Sequence, residues 1–225
     1  MAYKADLFIT VAKDMMDSLN WFKPLNGIIL LNCANEIEIP HEEKRDSKEK
    51  EILILAYAGP IKLDRGLIQL LKVVDEIENV ELIIMGPSLE ENLHSLISKK
   101  QRVRYLGVLP YEKALRAMAS GDVIVALYSP MVKNYQITYP NKLFEAMMIG
   151  KPIITNIAKD IVLETKCGLL VDYYNQKELM DAVFLLKENE ETRKSLGLNG
   201  RRYFKLKYNW DNMESQLTRA YDALF

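Results

Sequence analysis

Residues 139–155, YPNKLFEAMMIGKPIIT, carry a polar lead, an apolar helical run and a strand, with two charges in unusual places. Pro140 suits the first position of a helix, because it lacks an N–H that would be orphaned there anyway. Lys142 then falls in the first turn, beside the positive end of the helix dipole, where anions are preferred. Three residues on, Glu145 interrupts an otherwise apolar run of Leu143, Phe144, Ala146, Met147, Met148 and Ile149. Gly150 ends the helix, Lys151 lies at its negative end, and residues 152–155 read as a strand. A solvated i,i+3 pair between Lys142 and Glu145 would be worth a few tenths of a kcal/mol. The apolar neighbours of Glu145 instead predict a partly desolvated carboxylate that needs hydrogen-bond donors. An anion at the helix N-terminus would account for Lys142, and ligand hydroxyls for Glu145. On the residues alone, both readings stay open.

Outward from this stretch, the chain alternates. Strands are predicted at 6–11, 27–31, 52–58, 80–85, 103–106, 122–128, 152–155 and 167–171. Helices are predicted at 13–20, 66–78, 89–99, 111–119, 140–149, 158–165, 175–188, 190–206 and 210–224. Near-continuous apolar strands alternating with helices specify an α/β fold with a doubly wound parallel sheet. SLEE at 88–91 matches a capping box. Gly59, Gly86 and Gly107 each follow a strand, and ligands of open parallel sheets bind beyond the carboxyl ends of the strands. Lys142 and Glu145 fall on that same edge. The run EEKRDSKEKE at 42–51 has nine charged residues in ten, of both signs, and reads as a solvated linker.

Composition narrows the function classes. A chain of 225 residues, 49% hydrophobic and 27% charged, can bury one large α/β core. A net charge of −1 gives no general attraction to nucleic acid or anionic membrane. Cys33 and Cys167 make neither a disulfide framework nor a zinc spacing. His41 and His94 are isolated and no Asp-x-Asp pair occurs, which argues against a metal site. No apolar run is long enough to span a bilayer and the start lacks a signal-peptide pattern, so reduced thiols in the cytoplasm are expected. The first strand-to-helix turn, GPIKLDRG at 59–66, matches neither the dinucleotide nor the P-loop glycine pattern. Its glycine, with Lys62 and Arg65 at a helix start, can still cradle a phosphate. RRYFKLKYNW at 201–210 mixes cations and aromatics, and reads as a helix end with its rings packed inward rather than a nucleic-acid surface. Met147 and Met148 read as core.

Taken together, PNKLFEAMMIGKPIIT, YAGPIKLDRGLIQLL, VELIIMGPS, VRYLGVLPYEKALRAMASGDVIVALYS, CGLLVD and the closing YNWDNMESQLTRAYDALF resemble the group 1 (family 4) glycosyltransferases in order and spacing. The resemblance runs from about residue 52 to the end. It implies the C-terminal, nucleotide-sugar-binding domain of a GT-B fold at 52–207, a crossover helix at 208–225, and transfer with retention at the anomeric carbon. No cofactor is implied beyond the nucleotide-sugar donor, and no metal. Residues 1–40 resemble only the last strand-helix-strand of the N-terminal GT-B domain, joined by a linker at 41–51. By resemblance, Glu145 accepts hydrogen bonds from ribose hydroxyls, and Arg65 stands where the family has a diphosphate-binding lysine. Gly59 and Gly86 allow close backbone approach, Lys142 and the amides near Asn141 and Leu143 lie against the phosphates, and Tyr105 and Leu106 flank the base.

Two departures stand out. Pro60 occupies the place where the family often has an arginine, with Lys62 as a substitute. Ile137 stands where the family commonly has a sugar-holding glutamate, with Gln136 and Tyr139 nearby. The expected acceptor is a saccharide or lipid-linked saccharide, bound by an N-terminal domain or partner chain, with the complete protein peripheral at the membrane. This chain alone is expected to be inactive, to bind no nucleic acid, and to self-associate through residues 1–40, where Leu7, Ile9, Ile29 and Leu31 lack a cover. The alternatives are a non-catalytic nucleotide-sugar-binding module or subunit, and a GT-B nucleotide-sugar epimerase. A dehydrogenase fragment is disfavoured by the missing glycine fingerprint.

Overall fold

Residues 5–18, 27–38 and 51–224 are described by the computed structural model. The first segments form β1 (Phe8–Thr10), α1 (Lys13–Ser18) and β2 (Gly27–Ile29), with the two strands parallel and Phe8 opposite Gly27. The rest runs β3 (Leu53–Ala58), a 3-10 turn (Leu63–Arg65), α2 (Leu67–Glu76), β4 (Val80–Met85), α3 (Glu91–Ser98), β5 (Val103–Tyr105) and α4 (Tyr111–Ala119). It continues through β6 (Val123–Ala126), α5 (Lys133–Gln136), α6 (Asn141–Ile149), β7 (Ile153–Thr155), α7 (Lys159–Thr165), β8 (Gly168–Leu170), α8 (Gln176–Glu188), α9 (Glu190–Leu206) and α10 (Trp210–Asp222).

Six parallel strands form one sheet in the order β5-β4-β3-β6-β7-β8. Strand order reverses between β3 and β6, which places a crevice beyond their carboxyl ends. Alternation along the strands divides the core into two layers. Leu55, Tyr57, Val125 and Ile154 face the layer that holds α2, α3 and α8. Ala56, Ala58, Ile124 and Ile153 face the other, with α4, α6, α7 and α9. The small Ala56 and Ala58 lie in the same layer as α6, whose residues from Leu143 to Met148 are all buried.

The packing of α6 explains residues that the sequence pattern left open. Gly150 takes a left-handed φ of 70° and closes the helix, with the Gly150 and Lys151 N–H groups donating to the Met147 and Ala146 carbonyls. Arg201 Nη1 donates to the Met148 carbonyl at 2.6 Å, adding a cation at the helix C-terminus. A Cβ on Gly197 would stand 2.1 Å from the Gly150 carbonyl oxygen, so α9 crosses this end of α6 at backbone contact. Phe204 and Tyr208 are buried, in keeping with the inward-packed reading of RRYFKLKYNW.

Several boundaries differ from the sequence reading. Pro140 is the N-cap rather than the first helical residue, because its ψ of 133° is extended. SLEE forms no capping box. Ser88 instead makes a β-bridge with Ile61, and α3 begins at Glu91 after an N-cap, Glu90, whose side chain does not cap it. Glu90 Oε1 accepts from the Leu63 N–H at 3.1 Å. The fourth long strand stops at Ala126 rather than 128, since Asn156 satisfies both the N–H and the carbonyl of Tyr128 in place of the ladder. The 3-10 turn at 63–65 and α5 were not predicted. Of the charged linker only Glu51 is described, and residues 19–20 of the first predicted helix also lie outside the described residues.

The first segments reach the large domain through residues 30–37. Cys33 is buried with the α6 layer, and Leu30, Leu31, Ala34 and Ile37 pack against it. The Trp210 N–H donates to the Ala34 carbonyl at 3.2 Å, and Arg201 pairs with Glu36. In the small sheet Ile9 is exposed, while Leu7, Ile29 and Leu31 are half-buried.

Candidate functional site

Three strand ends meet at the carboxyl edge. The Gly59 N–H donates to Met85 O, the Gly86 N–H to Gly107 O, and the Tyr105 hydroxyl to Gly86 O at 2.8 Å. Gly86 has a φ of 137°, and a Cβ there would lie 2.0 Å from the Gly59 carbonyl oxygen. Only glycine fits this approach. Beside it the Tyr105 ring packs edge-on against His94, and Leu106 is exposed.

The turn after β3 is held from three sides. Ile61 bridges to Ser88, the Ser129 N–H donates to the Asp64 carbonyl at 2.8 Å, and the Tyr173 hydroxyl reaches the Leu63 carbonyl. Lys62 is extended and half-buried before the 3-10 turn. The Arg65 guanidinium lies 4.6 Å from the ring centroid of Tyr128 and 4.4 Å from that of Tyr135. Neither ring was singled out in the sequence; an aromatic directly beyond β6 and another in the following loop were the available signals. Burial raises the Tyr128 hydroxyl to a pKa of about 12, against the lowering effect of Arg65 and with a further raising effect of Glu145. Tyr128 thus sits within electrostatic reach of both Arg65 and Glu145, two of the predicted binding residues.

Lys142 and Glu145 are a pair, with Nζ 2.5 Å from Oε2. It is not the solvated pair that helix spacing alone would give, because the Glu145 side chain is 6% exposed and that of Lys142 is 23%. Asn141 is exposed at the start of the helix. Leu143 is fully buried, and its N–H already donates to the Pro140 carbonyl. A cavity of about 470 Å³ opens beside Glu145, lined by Asn141, Tyr111, Asn32, Cys33, Ala34 and Trp210. The carboxylate contributes, after burial, to raising the Tyr111 hydroxyl to a pKa of about 12. A hydroxyl-bearing ligand in this cavity would meet a carboxylate acceptor, an amide and aromatic walls, as small-molecule sites require.

Position 137, an isoleucine, borders a second cavity of about 420 Å³, where the Tyr139 hydroxyl donates to Asp160 Oδ2 at 2.6 Å and Gln136 lines the wall. Among the described residues no group of three or more His, Cys, Asp or Glu could hold a metal ion, and no helix is long and apolar enough to cross a membrane.

Burial pushes the Cys33 thiol to a pKa of about 12 and also raises that of Cys167. Thiolate is the reactive form. Neither cysteine is therefore expected to react rapidly with Ellman's reagent at pH 7.5 in the native protein, whereas both react after denaturation. A fast native thiol would show that the packing that buries Cys33 or Cys167 opens readily.

These features lie on the carboxyl edge of a doubly wound parallel sheet, at the point where its strand order reverses. The group 1 glycosyl transferase family model matches residues 53–189, more than half of the chain. The chain belongs to the group 1 glycosyl transferases. An uncharacterized glycosyltransferase of Methanocaldococcus jannaschii is 22% identical, over 90% of this chain and 57% of that protein. Sucrose-phosphate synthase from Thermosynechococcus elongatus superposes with a TM-score of 0.81 at 20% identity, over 100% of this chain and 59% of that one. HepE from Anabaena, solved in complex with UDP and glucose, gives a TM-score of 0.77 at 14% identity, over 97% of this chain and 64% of that one. The fold is the Rossmann-like domain of a GT-B glycosyltransferase. The chain spans about three-fifths of the length of these proteins.

Proposed function

We propose that this chain is the donor-binding half of a retaining GT-B glycosyltransferase, which transfers a sugar from a nucleotide-sugar to a saccharide or lipid-linked saccharide acceptor. Residues 1–40 belong to the N-terminal domain, and α10 is the helix that crosses back to it. The acceptor is presented by that domain, so the 225 residues alone do not transfer sugar. The complete protein is cytoplasmic and works peripherally at the membrane.

One observation carries the reading: the nearly buried Glu145 carboxylate, beside a roomy cavity, on a helix whose first turn carries Lys142. Glu145 accepts from the ribose hydroxyls. Lys142, Arg65 and the helix amides near Asn141 neutralise the diphosphate without a metal ion. Developing charge on the departing diphosphate is stabilised by these fixed donors, which is the electrostatic share of catalysis that this half supplies. HepE, of similar fold, was solved with UDP and glucose, which supports a nucleotide-sugar as donor.

UDP is expected to stabilise the isolated chain in the presence of EDTA. At about a hundred times its dissociation constant the gain is roughly 2.7 kcal/mol, or about 5–10 °C in melting temperature for a protein of this size. An unchanged melting temperature with UDP and the other nucleoside diphosphates at millimolar concentration would overturn the reading. With the complete protein and a labelled donor, transfer product, epimerised donor or neither product separates transferase, epimerase and binding module.

A further inference from the structure

Arg65 is held in an unusual way for a residue meant to meet an anion. Its guanidinium packs against both Tyr128 and Tyr135, whose rings also meet each other edge-on, 5.2 Å apart and at 70°. The two walls differ in kind. Tyr128 is buried beyond β6, and its backbone is fixed on both sides by the Asn156 amide. Tyr135 rides on the four-residue α5, in a loop whose Met131 is 82% exposed. The Tyr135 ring packs against Tyr128 and the α6 layer, and its hydroxyl donates to Asp64 Oδ2 at 3.1 Å. The neighbouring Asp64 Oδ1 lies 3.7 Å from Arg65 Nε, and both atoms are buried without a hydrogen-bond partner.

We propose that Tyr135 is a positioning residue for Arg65, holding the guanidinium at the crevice for the diphosphate of the ligand. The inference rests on the reading of this edge as a nucleoside-diphosphate site. A free arginine loses rotamer entropy whenever it binds. One already confined by two rings has lost it beforehand, and the cation–π attraction supplies the restraint. Asp64 works against an anion beside the same guanidinium. By donating to Oδ2, the Tyr135 hydroxyl occupies one carboxylate oxygen and keeps Asp64 turned toward α5. Tyr135 therefore acts through Arg65 and does not touch the ligand itself.

The test is a double-mutant cycle, with UDP affinity measured by calorimetry at fixed salt. Tyr135→Leu removes the π face while roughly keeping an apolar filler, and is expected to weaken UDP about five- to tenfold. Tyr135→Phe keeps the ring and loses only the anchor to Asp64, with an expected loss below about threefold. In the Arg65→Ala background, Tyr135→Leu is expected to cost nothing more, because the group it positions is gone. Wild-type affinity in Tyr135→Leu overturns the proposal. So does an equal loss with and without Arg65, which would mean that Tyr135 merely supports the loop. If the wild-type chain binds neither UDP nor any other nucleoside diphosphate, the diphosphate reading falls and this inference falls with it, a result distinct from binding that is insensitive to position 135.

Discussion

Glu145→Ala lowers UDP affinity by about tenfold or more, the expected result if the carboxylate accepts hydrogen bonds from the ribose. Each hydrogen bond to a charged group is worth about 1.5–3 kcal/mol. In the unliganded protein that carboxylate is held by Lys142 at 2.5 Å. On the proposed reading, ribose hydroxyls would replace the ammonium at Glu145 on binding, and Lys142 would turn to the phosphates.

The pair also makes the two single mutants unequal in stability. Without Glu145, the Lys142 side chain, 23% exposed, can move to water, and the expected cost is about 1 kcal/mol. Without Lys142, a carboxylate that is 6% exposed loses its partner and cannot move, and the expected cost of Lys142→Met is about 1.5–3 kcal/mol. Chemical denaturation of the two variants checks the order. Unchanged or tighter UDP binding by Glu145→Ala would mean that Glu145 exists to restrain Lys142, and the ribose assignment would fall.

Much of this fold was legible because its signals are local. Apolar strands such as LILAYA and VELIIM announce themselves, and glycines punctuate the ligand edge; the main sheet follows the predicted strands to within two residues at either end. Lys142 and Glu145 stood out because each breaks a local rule, a cation at the positive end of a helix and a carboxylate in an apolar run. The features that were missed depend on distant partners. Nothing near Ser88 in sequence indicates that Ile61 will bridge it and displace the helix start by two residues. Likewise Tyr128 leaves the strand early because Asn156, from the next strand-to-helix loop, occupies its backbone. The tyrosines around Arg65 are ordinary aromatics until strand order brings the ends of β3 and β6 together. Trp210 and Cys33 reach the Glu145 cavity only by tertiary packing of segments that lie over a hundred residues away from one or both of their neighbours there.

The second large effect is expected at Gly86, and a neighbouring glycine isolates its cause. Gly86 and Gly107 both have positive φ, 137° and 69°, and both follow strands at the carboxyl edge of the sheet. An alanine methyl at 107 would meet nothing within 4 Å, while at 86 it would lie 2.0 Å from the Gly59 carbonyl oxygen and 2.7 Å from its carbon. Gly107→Ala therefore carries only the left-handed backbone cost, about 1–2 kcal/mol. Gly86→Ala combines a conformation essentially reserved for glycine, costing about 1–3 kcal/mol, with a clash against backbone that cannot rotate away, adding about 1–3 kcal/mol. A loss of about 3 kcal/mol or more is expected, roughly 6–12 °C in melting temperature. The clash can be relieved only by separating the ends of β3 and β4. Gly86 also accepts the Tyr105 hydroxyl and donates to Gly107, so separation carries the neighbouring strand end with it. UDP binding should accordingly fall well beyond what Gly107→Ala causes, even at temperatures where both variants remain folded. Equal melting temperatures and equal UDP affinities for the two variants would show that the carboxyl edge yields freely, and that close backbone approach at Gly59 and Gly86 plays no part in shaping the site.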